Sequence, residues 1–137
     1  MKFGLIIILL SMNFAQNINF YNKDNESFAD VKTKDFTFTC RVGGMENDKG
    51  TIFLLHGFPE TSRMWNDFIK VLENEGYRII APDQRGYSKG ARPSKVSDYT
   101  IDKLSQDIIN IANEFNIDKF HLVGHDWGSA VGWYIAS

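Results

Sequence analysis

The sequence lacks several features that would define other classes of protein. It contains a single cysteine, Cys40, which excludes an internal disulfide and a zinc site built from cysteines. It has no excess of positive charge, because 15 Lys and Arg stand against 17 Asp and Glu for a formal net charge of −2, so we expect no nucleic-acid partner. Its 137 residues, 43% of them hydrophobic, are enough for the core of one domain.

The amino end carries an apolar run from Phe3 to Leu10, which is shorter than the roughly 20 residues of a stable membrane span. Lys2 precedes this run and the small residue Ala15 follows it, a pattern typical of a secretory signal peptide. We therefore expect residues 1–15 to be removed and the mature protein to be secreted. The alternative is a first core strand of a cytoplasmic protein. A glycosylation sequon at Asn25 matters only on a eukaryotic secretory route.

Two segments follow the apolar run. Residues 16–32 are rich in Asn and charged side chains and have no sustained period, which indicates a polar linker or arm. Residues 33–137 alternate between strand and helix patterns. Strands are expected at about 36–42, 51–55, 77–81 and 120–123, and helices at about 61–75, 101–115 and 127–137. This alternation predicts an α/β fold, a mostly parallel sheet with helices on both faces, in which the last three strands are buried.

The turn between the last strand and the last helix has a pattern that carries chemistry. Gly124 and Gly128 flank Asp126 at the spacing of a nucleophile elbow, a sharp turn that lifts the side chain between the glycines above the sheet. An aspartate there is ionised at neutral pH, so it can attack an electrophilic carbon without a base and form an ester of the enzyme. Asp126 is therefore predicted to be the nucleophile. The alternative is a helix cap, a position that aspartate also favours.

Hydrolysis of such an ester requires backbone N–H groups that stabilise the oxyanion. Trp127, directly after the nucleophile, is expected to supply one N–H group. Phe58, in the loop after an earlier strand, is expected to supply the other. Pro59 cannot donate a hydrogen bond and restricts the backbone of that loop.

Three motifs then connect the sequence with a family. Leu-His-Gly-Phe-Pro-Glu, Pro-Asp-Gln-Arg-Gly-Tyr-Ser and Val-Gly-His-Asp-Trp-Gly occur in the order found in the epoxide hydrolase group of the α/β-hydrolase fold. The sequence resembles that group over roughly residues 33–137. The resemblance implies the amino-terminal half of an α/β-hydrolase core, a small apolar electrophile such as an epoxide as substrate, and neither a cofactor nor a metal. The residues that support the motifs are His56, Gly57, Pro59, Gly124 and Gly128, with His56 structural rather than a base.

Relatives of this group use the same aspartate on other substrates. Haloalkane dehalogenases usually have Asn or Glu at the position of Phe58, where it helps to bind the leaving halide. Haloacetate dehalogenases commonly have Arg at the position of Trp127. Both differences favour an epoxide, while a dehalogenase-like hydrolase and a non-catalytic binding module remain alternatives.

Two further patterns suggest other chemistry. The segment around Ser88 matches the Gly-x-Ser-x-Gly pattern of serine hydrolases, but no helix pattern follows it. His121 and His125 are four residues apart, as in a helical metal pair, yet they straddle a strand and a turn, where that spacing does not converge.

The resemblance also implies groups that this sequence does not contain. In the family, a histidine that activates water, an acid that orients it, and a lid with proton-donating tyrosines come after the elbow, whereas the chain ends at Ser137. We therefore expect a fragment without the lid and the carboxyl-terminal half, which forms the ester without turnover. We also expect the strand at 120–123 to lie at an open edge of the sheet.

Overall fold

One mixed sheet organises residues 17–137, the part of the chain that the computed structural model describes. Its six strands are β1 (Ile18–Lys23), β2 (Glu26–Lys32), β3 (Thr37–Gly43), β4 (Thr51–Leu55), β5 (Arg78–Pro82) and β6 (His121–Gly124). Their order is β1-β2-β3-β5-β4-β6. Strand β4 is parallel to both β5 and β6, whereas the pairs β1–β2, β2–β3 and β3–β5 are antiparallel. The α/β class is confirmed, but the sheet is mixed rather than mostly parallel.

Helices cover both faces of this sheet, as expected. They are α1 (Asn66–Asn74), α2 (Ile101–Glu114) and α3 (Trp127–Ala136), with short 3₁₀ helices at Ser62–Trp65 and Val96–Asp98. The helix expected at 61–75 is therefore divided into a 3₁₀ turn and α1. Among the helices of the described residues, none combines the length and the apolar character that crossing a bilayer requires.

Strand β4 lies at the centre of the core, and all five of its residues are buried. Phe53 and Leu55 belong to the apolar cluster that includes α2 and α3. Ile52 and Leu54 belong to the cluster on the opposite face, which includes residues of α1. Because side chains alternate between the two faces of a strand, this continuous apolar run is explained by burial on both sides.

The prediction of a polar linker at residues 16–32 is wrong, because strands β1 and β2 form a hairpin that pairs with β3. Asp24 and Asn25 form its turn with positive φ angles of 51° and 63°, a conformation that favours these residue types in two-residue hairpin loops. Ala29 and Val31 of β2 are fully buried. The strand pattern was hidden because aromatic side chains lie on both faces of the hairpin, Phe20 on one face and Tyr21 and Phe28 on the other, so neither strand alternates cleanly between apolar and polar residues.

Strand β6 lies at the edge of the sheet, as expected, but it is not a buried strand. Val123 is 41% exposed, and β4 is the only strand that pairs with β6 within residues 17–137. One side of β6 therefore presents unpaired backbone N–H and C=O groups. The aromatic ring of Phe120, just before the strand, lies 4.8 Å from that of Phe53 between ring centroids and joins β6 to the core.

The predicted signal peptide, residues 1–15, lies outside the described residues. The sequon at Asn25 lies within them, and its side chain is exposed at the hairpin turn.

Candidate active site

The turn between β6 and α3 places Asp126 at the carboxyl edge of the parallel strands. Asp126 has φ 54° and ψ −121°, a backbone conformation that non-glycine residues rarely adopt. The turn is held by hydrogen bonds from the backbone N–H of His125 to the Leu55 carbonyl (3.0 Å) and from the Ser129 hydroxyl to the Gly124 carbonyl (2.8 Å). The Asp126 side chain consequently stands exposed above the sheet.

Close backbone approach explains the two glycines of the elbow. A Cβ atom on Gly128 would overlap the Leu55 carbonyl oxygen and lie 2.7 Å from the His56 carbonyl oxygen. A Cβ atom on Gly124 would lie 2.6 Å from the Gly128 carbonyl carbon. Because the obstacles are backbone atoms of neighbouring elements, only a residue without a side chain lets α3 start this close to β4.

The loop after β4 brings a hydrogen-bond donor to the carboxylate. The backbone N–H of Phe58 donates to Asp126 Oδ2 at 2.9 Å. Gly57 is pressed against the same carboxylate, since a Cβ atom there would lie 2.7 Å from Asp126 Oδ2. The peptide bond that joins Phe58 to Pro59 is cis. The structure therefore brings together Phe58 and Asp126, which the sequence placed on separate loops.

Backbone N–H groups also set the charge of the carboxylate. The hydrogen bond from Phe58 and, to a smaller extent, that from Trp127 lower the pKa of Asp126 below its ordinary value. Asp126 is thus ionised at neutral pH, with Oδ2 bound to the loop and the second oxygen, Oδ1, able to reach an electrophile.

His56 is buried beneath this loop and holds it through both ring nitrogens. Its Nε2 accepts a hydrogen bond from the backbone N–H of Gln84 at 3.0 Å, so the proton lies on Nδ1, which donates to the Gly57 carbonyl at 3.0 Å. Burial lowers the pKa of His56, and the ring of Tyr87 packs edge-to-face against it at 4.6 Å. Because its imidazole is neutral and both ring nitrogens are hydrogen-bonded, His56 stabilises the loop and is not available for proton transfer.

A cavity of about 220 Å³ opens next to the elbow and the loop after β4. Its walls combine aromatic and aliphatic side chains with a few polar groups, from His56, Gly57, Phe58, Gln84, Arg85, Tyr87, Tyr99, Leu104 and Trp127. No role was predicted for five of these residues, namely Gln84, Arg85, Tyr87, Tyr99 and Leu104. The first three could have been found because they lie in the loop after a parallel strand, whereas no local pattern marks the other two.

A buried ion pair fixes one wall of the cavity. Arg85 donates to both carboxylate oxygens of Asp107 on α2, each at 2.7 Å, and the two side chains are only 9% and 6% exposed. Arg85 also donates to the Asp98 carbonyl at 2.6 Å and lies 4.7 Å from the centre of the Phe36 ring. The hydrogen bonds that Arg85 donates to Asp107 raise the pKa of Arg85. The Arg85–Asp107 ion pair thus joins the loop after β5 to α2.

Ser88, the serine of the Gly-x-Ser-x-Gly pattern, makes hydrogen bonds that stabilise the fold. It is 1% exposed, and its hydroxyl accepts from the backbone N–H of Thr39 at 3.0 Å and donates to the Asp83 carbonyl. The hydroxyl therefore joins β3 to the loop after β5 and does not face the cavity.

The two histidines of the possible metal pair lie at different ends of β6. His121 begins the strand, where its ring lies 6.3 Å from that of Tyr77, and His125 follows the strand at the elbow. The structure does not bring them together. No cluster of three or more His, Cys, Asp or Glu side chains able to hold a metal occurs in residues 17–137.

Strand β6, the sharp turn at Asp126, helix α3 and the loop donor at Phe58 define the nucleophile elbow and neighbouring donor loop of an α/β hydrolase. The chain belongs to the alpha/beta hydrolase fold family, whose model matches residues 50–137.

Individual relatives narrow this assignment. The chain is 46% identical over 107 residues to the AB hydrolase superfamily protein YfhM of Bacillus subtilis, which covers 78% of this chain and 37% of that protein. It is 39% identical over 82 residues to epoxide hydrolase A of Mycobacterium tuberculosis, which covers 60% of this chain and 26% of that protein. A crystal structure of an epoxide hydrolase from Vigna radiata matches with a TM-score of 0.72 and 32% identity over 88% of this chain and 35% of its own. The resemblance to the epoxide hydrolase group is confirmed, and by family the chain is an enzyme. The chain spans well under half of the length of these relatives.

Proposed function

We propose that this chain carries the nucleophile of an epoxide hydrolase and that Asp126 is that nucleophile. The observation that carries the proposal is the hydrogen bond from the Phe58 N–H to Asp126 Oδ2 at the tip of the elbow. It leaves one carboxylate oxygen bound and the other directed to substrate. The epoxide hydrolases among the relatives support the choice of electrophile.

In the first step, Asp126 Oδ1 attacks a carbon of the epoxide ring. The bond from that carbon to the ring oxygen breaks and its electron pair stays on the oxygen, which takes a proton from water to give a hydroxyl group and hydroxide. The product is an ester between Asp126 and a hydroxyalkyl group. Throughout this step Oδ2 keeps its hydrogen bond with the Phe58 N–H, so the carboxylate enters the reaction already oriented.

In the second step, water attacks the Asp126 carboxyl carbon and the negative charge of the tetrahedral intermediate develops on Oδ2. The Phe58 N–H, which already binds Oδ2 in the carboxylate, and the neighbouring Trp127 N–H stabilise that charge. The step needs a base to take the proton of water. His56 is buried with both ring nitrogens hydrogen-bonded, and His121 lies at the far end of β6. His125 is exposed at the elbow, and its ring makes no hydrogen bond with a described residue that would position it as a base. We therefore propose that the 137-residue chain forms the ester but does not turn over.

Intact-mass measurement tests both parts of the proposal. Incubation with styrene oxide should add the mass of one epoxide, and peptide mapping should locate it on Asp126. The adduct should be absent from Asp126→Asn and unchanged in Asp118→Asn, a matched change at another exposed aspartate. Labelling at another residue would refute the nucleophile, and sustained release of diol by this chain would refute the single turnover.

The same experiment separates the alternatives. The Phe58 side chain is 70% exposed and offers no polar group to a leaving halide. Faster labelling by an alkyl halide or a haloacetate than by any epoxide would favour a dehalogenase-like hydrolase. Reversible binding of epoxide at the cavity, with no adduct, would favour a binding module.

A further inference from the structure

Gln84 lines the cavity, and one half of its side-chain amide is bound to the fold while the other half is unpaired. The residue is 6% exposed and lies in the loop after β5. Its backbone N–H donates to His56 Nε2, and its side-chain Nε2 donates to the His56 carbonyl. The side-chain bond determines which way the amide is turned, because only the nitrogen can donate to that carbonyl.

The carbonyl oxygen of the same amide, Oε1, is buried and has no hydrogen-bond partner among residues 17–137. A buried carbonyl without a donor is unfavourable, and nearly all such groups in folded proteins are paired. Gln84 lines the cavity that lies beside Asp126, together with Phe58 and Trp127. An unpaired acceptor at such a place indicates that its donor belongs to what the cavity binds.

Several neighbouring donors of the cavity wall are engaged elsewhere. All three guanidinium nitrogens of Arg85 donate to Asp107 or to the Asp98 carbonyl. The Tyr99 hydroxyl donates to the Pro93 carbonyl at 2.7 Å. The His56 ring donates to the Gly57 carbonyl. The Tyr87 hydroxyl and the Trp127 indole N–H complete the polar groups of the lining, and most of the remaining wall is aromatic or aliphatic, so few polar groups orient what the cavity binds.

We propose that Gln84 Oε1 accepts a hydrogen bond from a hydroxyl group of the substrate, so that the preferred electrophile is an epoxide bearing a free hydroxyl. This inference rests on the proposed function, since it concerns the same cavity and the same nucleophile. A site that pairs a buried acceptor with a substrate hydroxyl rejects the analogue without that hydroxyl, because binding the analogue leaves the acceptor unpaired.

The test compares short terminal epoxyalcohols of increasing chain length with matched epoxyalkanes in which methyl replaces hydroxyl. The rate of adduct formation on Asp126 is measured for each pair with the wild-type chain, with Gln84→Met and with Gln106→Met. Gln106 is an exposed glutamine of α2 and provides the same substitution away from the cavity. At the best chain length, the alcohol-to-alkane rate ratio should fall about tenfold in Gln84→Met and stay unchanged in Gln106→Met.

The alcohol-to-alkane rate ratio separates recognition of the substrate hydroxyl from a structural effect of the substitution. Loss of the bonds to His56 in Gln84→Met would slow both members of a pair alike and leave their ratio unchanged. An unchanged ratio at every chain length would overturn the inference while labelling of Asp126 still supported the proposed function.

A second measurement keeps the inference testable if the variant does not fold or if no epoxide reacts. In the wild-type chain labelled with ¹⁵N, the side-chain amide resonances of Gln84 should shift on titration with the epoxyalcohol and not with the epoxyalkane. Such a shift without an adduct would refute the nucleophile and retain the hydroxyl recognition. Equal shifts with both compounds, or none with either, would refute the recognition.

Discussion

The backbone N–H of Phe58 lies 2.9 Å from Asp126 Oδ2, a hydrogen bond between residues 68 positions apart in the chain. It joins the loop after β4 to the turn after β6, and these two strands are parallel neighbours in the sheet. The carboxyl ends of adjacent parallel strands meet at one edge, so the sheet itself brings donor and carboxylate together. The ionisation of Asp126 and, under the proposed function, its reactivity depend on this contact.

The pH dependence of labelling follows from the pKa of Asp126. Since the ionised carboxylate is the reactive form and N–H groups lower its pKa, the labelling rate should be constant from about pH 5 to 8 and fall only in more acidic solution. Rates measured across buffers, with the carboxyl resonance of Asp126 followed by NMR, would test this. A rate that still rises between about pH 5 and 8 would show that a different group limits the reaction.

Replacement of Gly57 by alanine should disable the donor loop. The added methyl group would lie 2.7 Å from Asp126 Oδ2, so the loop must move and carry the Phe58 N–H away from the carboxylate. Labelling should slow about 100-fold, the usual cost of losing one oxyanion donor. Gly132→Ala is the matched control, because a Cβ atom there meets nothing within 4 Å. Equal rates in the two variants would contradict the role assigned to the loop.

The Arg85–Asp107 pair should be important for stability. Asp107→Ala leaves the guanidinium buried without its carboxylate, a change that typically costs about 3 to 5 kcal/mol. The free energy of opening of α2, from amide hydrogen exchange, is the measurement. Asp98→Ala removes the exposed pair with Lys103 and should have a much smaller effect. Similar losses in both variants would indicate that burial of the first pair is unimportant.

The open edge at β6 should make the isolated chain associate or unfold partly. Its backbone groups are unpaired on one side in the described structure, and Val123 is 41% exposed. We expect faster amide exchange in β6 than in β4. Val123→Lys should reduce association in sedimentation experiments, while Val96→Lys, at a site 90% exposed in the 3₁₀ helix Val96–Asp98, should not. A monodisperse monomer with slow exchange throughout β6 would contradict this prediction.

We propose that the protein is secreted, on the basis of Lys2, the apolar run up to Leu10 and the small residue Ala15. Mass spectrometry of the native product should find an amino terminus near Gln16. Recovery of the intact Met1 terminus from a cytosolic fraction would remove the signal-peptide interpretation.

Local patterns were sufficient for much of the fold and for the elbow. The apolar run at Thr51–Leu55 identified a strand buried on both faces, because only a central strand needs apolar residues at consecutive positions. The spacing of Gly124, Asp126 and Gly128 identified the elbow, because the pattern is confined to five residues, although the backbone of Leu55 and His56 that makes Gly128 necessary comes from a distant segment. Residues 18–32 gave no comparable signal, since their hairpin depends on pairing with β3 rather than on their own composition.

The sequence by itself determined which side chain stands at the tip of the elbow, Asp126, and which loop donates a hydrogen bond to it, since both lie in short motifs. Only the tertiary structure decided what surrounds them. The orphan oxygen of Gln84, the contribution of Tyr99 to the cavity and the exposure of β6 each depend on atoms from distant segments. Burial and hydrogen-bond pairing are properties of the assembled sheet and helices, so no window of sequence contains them.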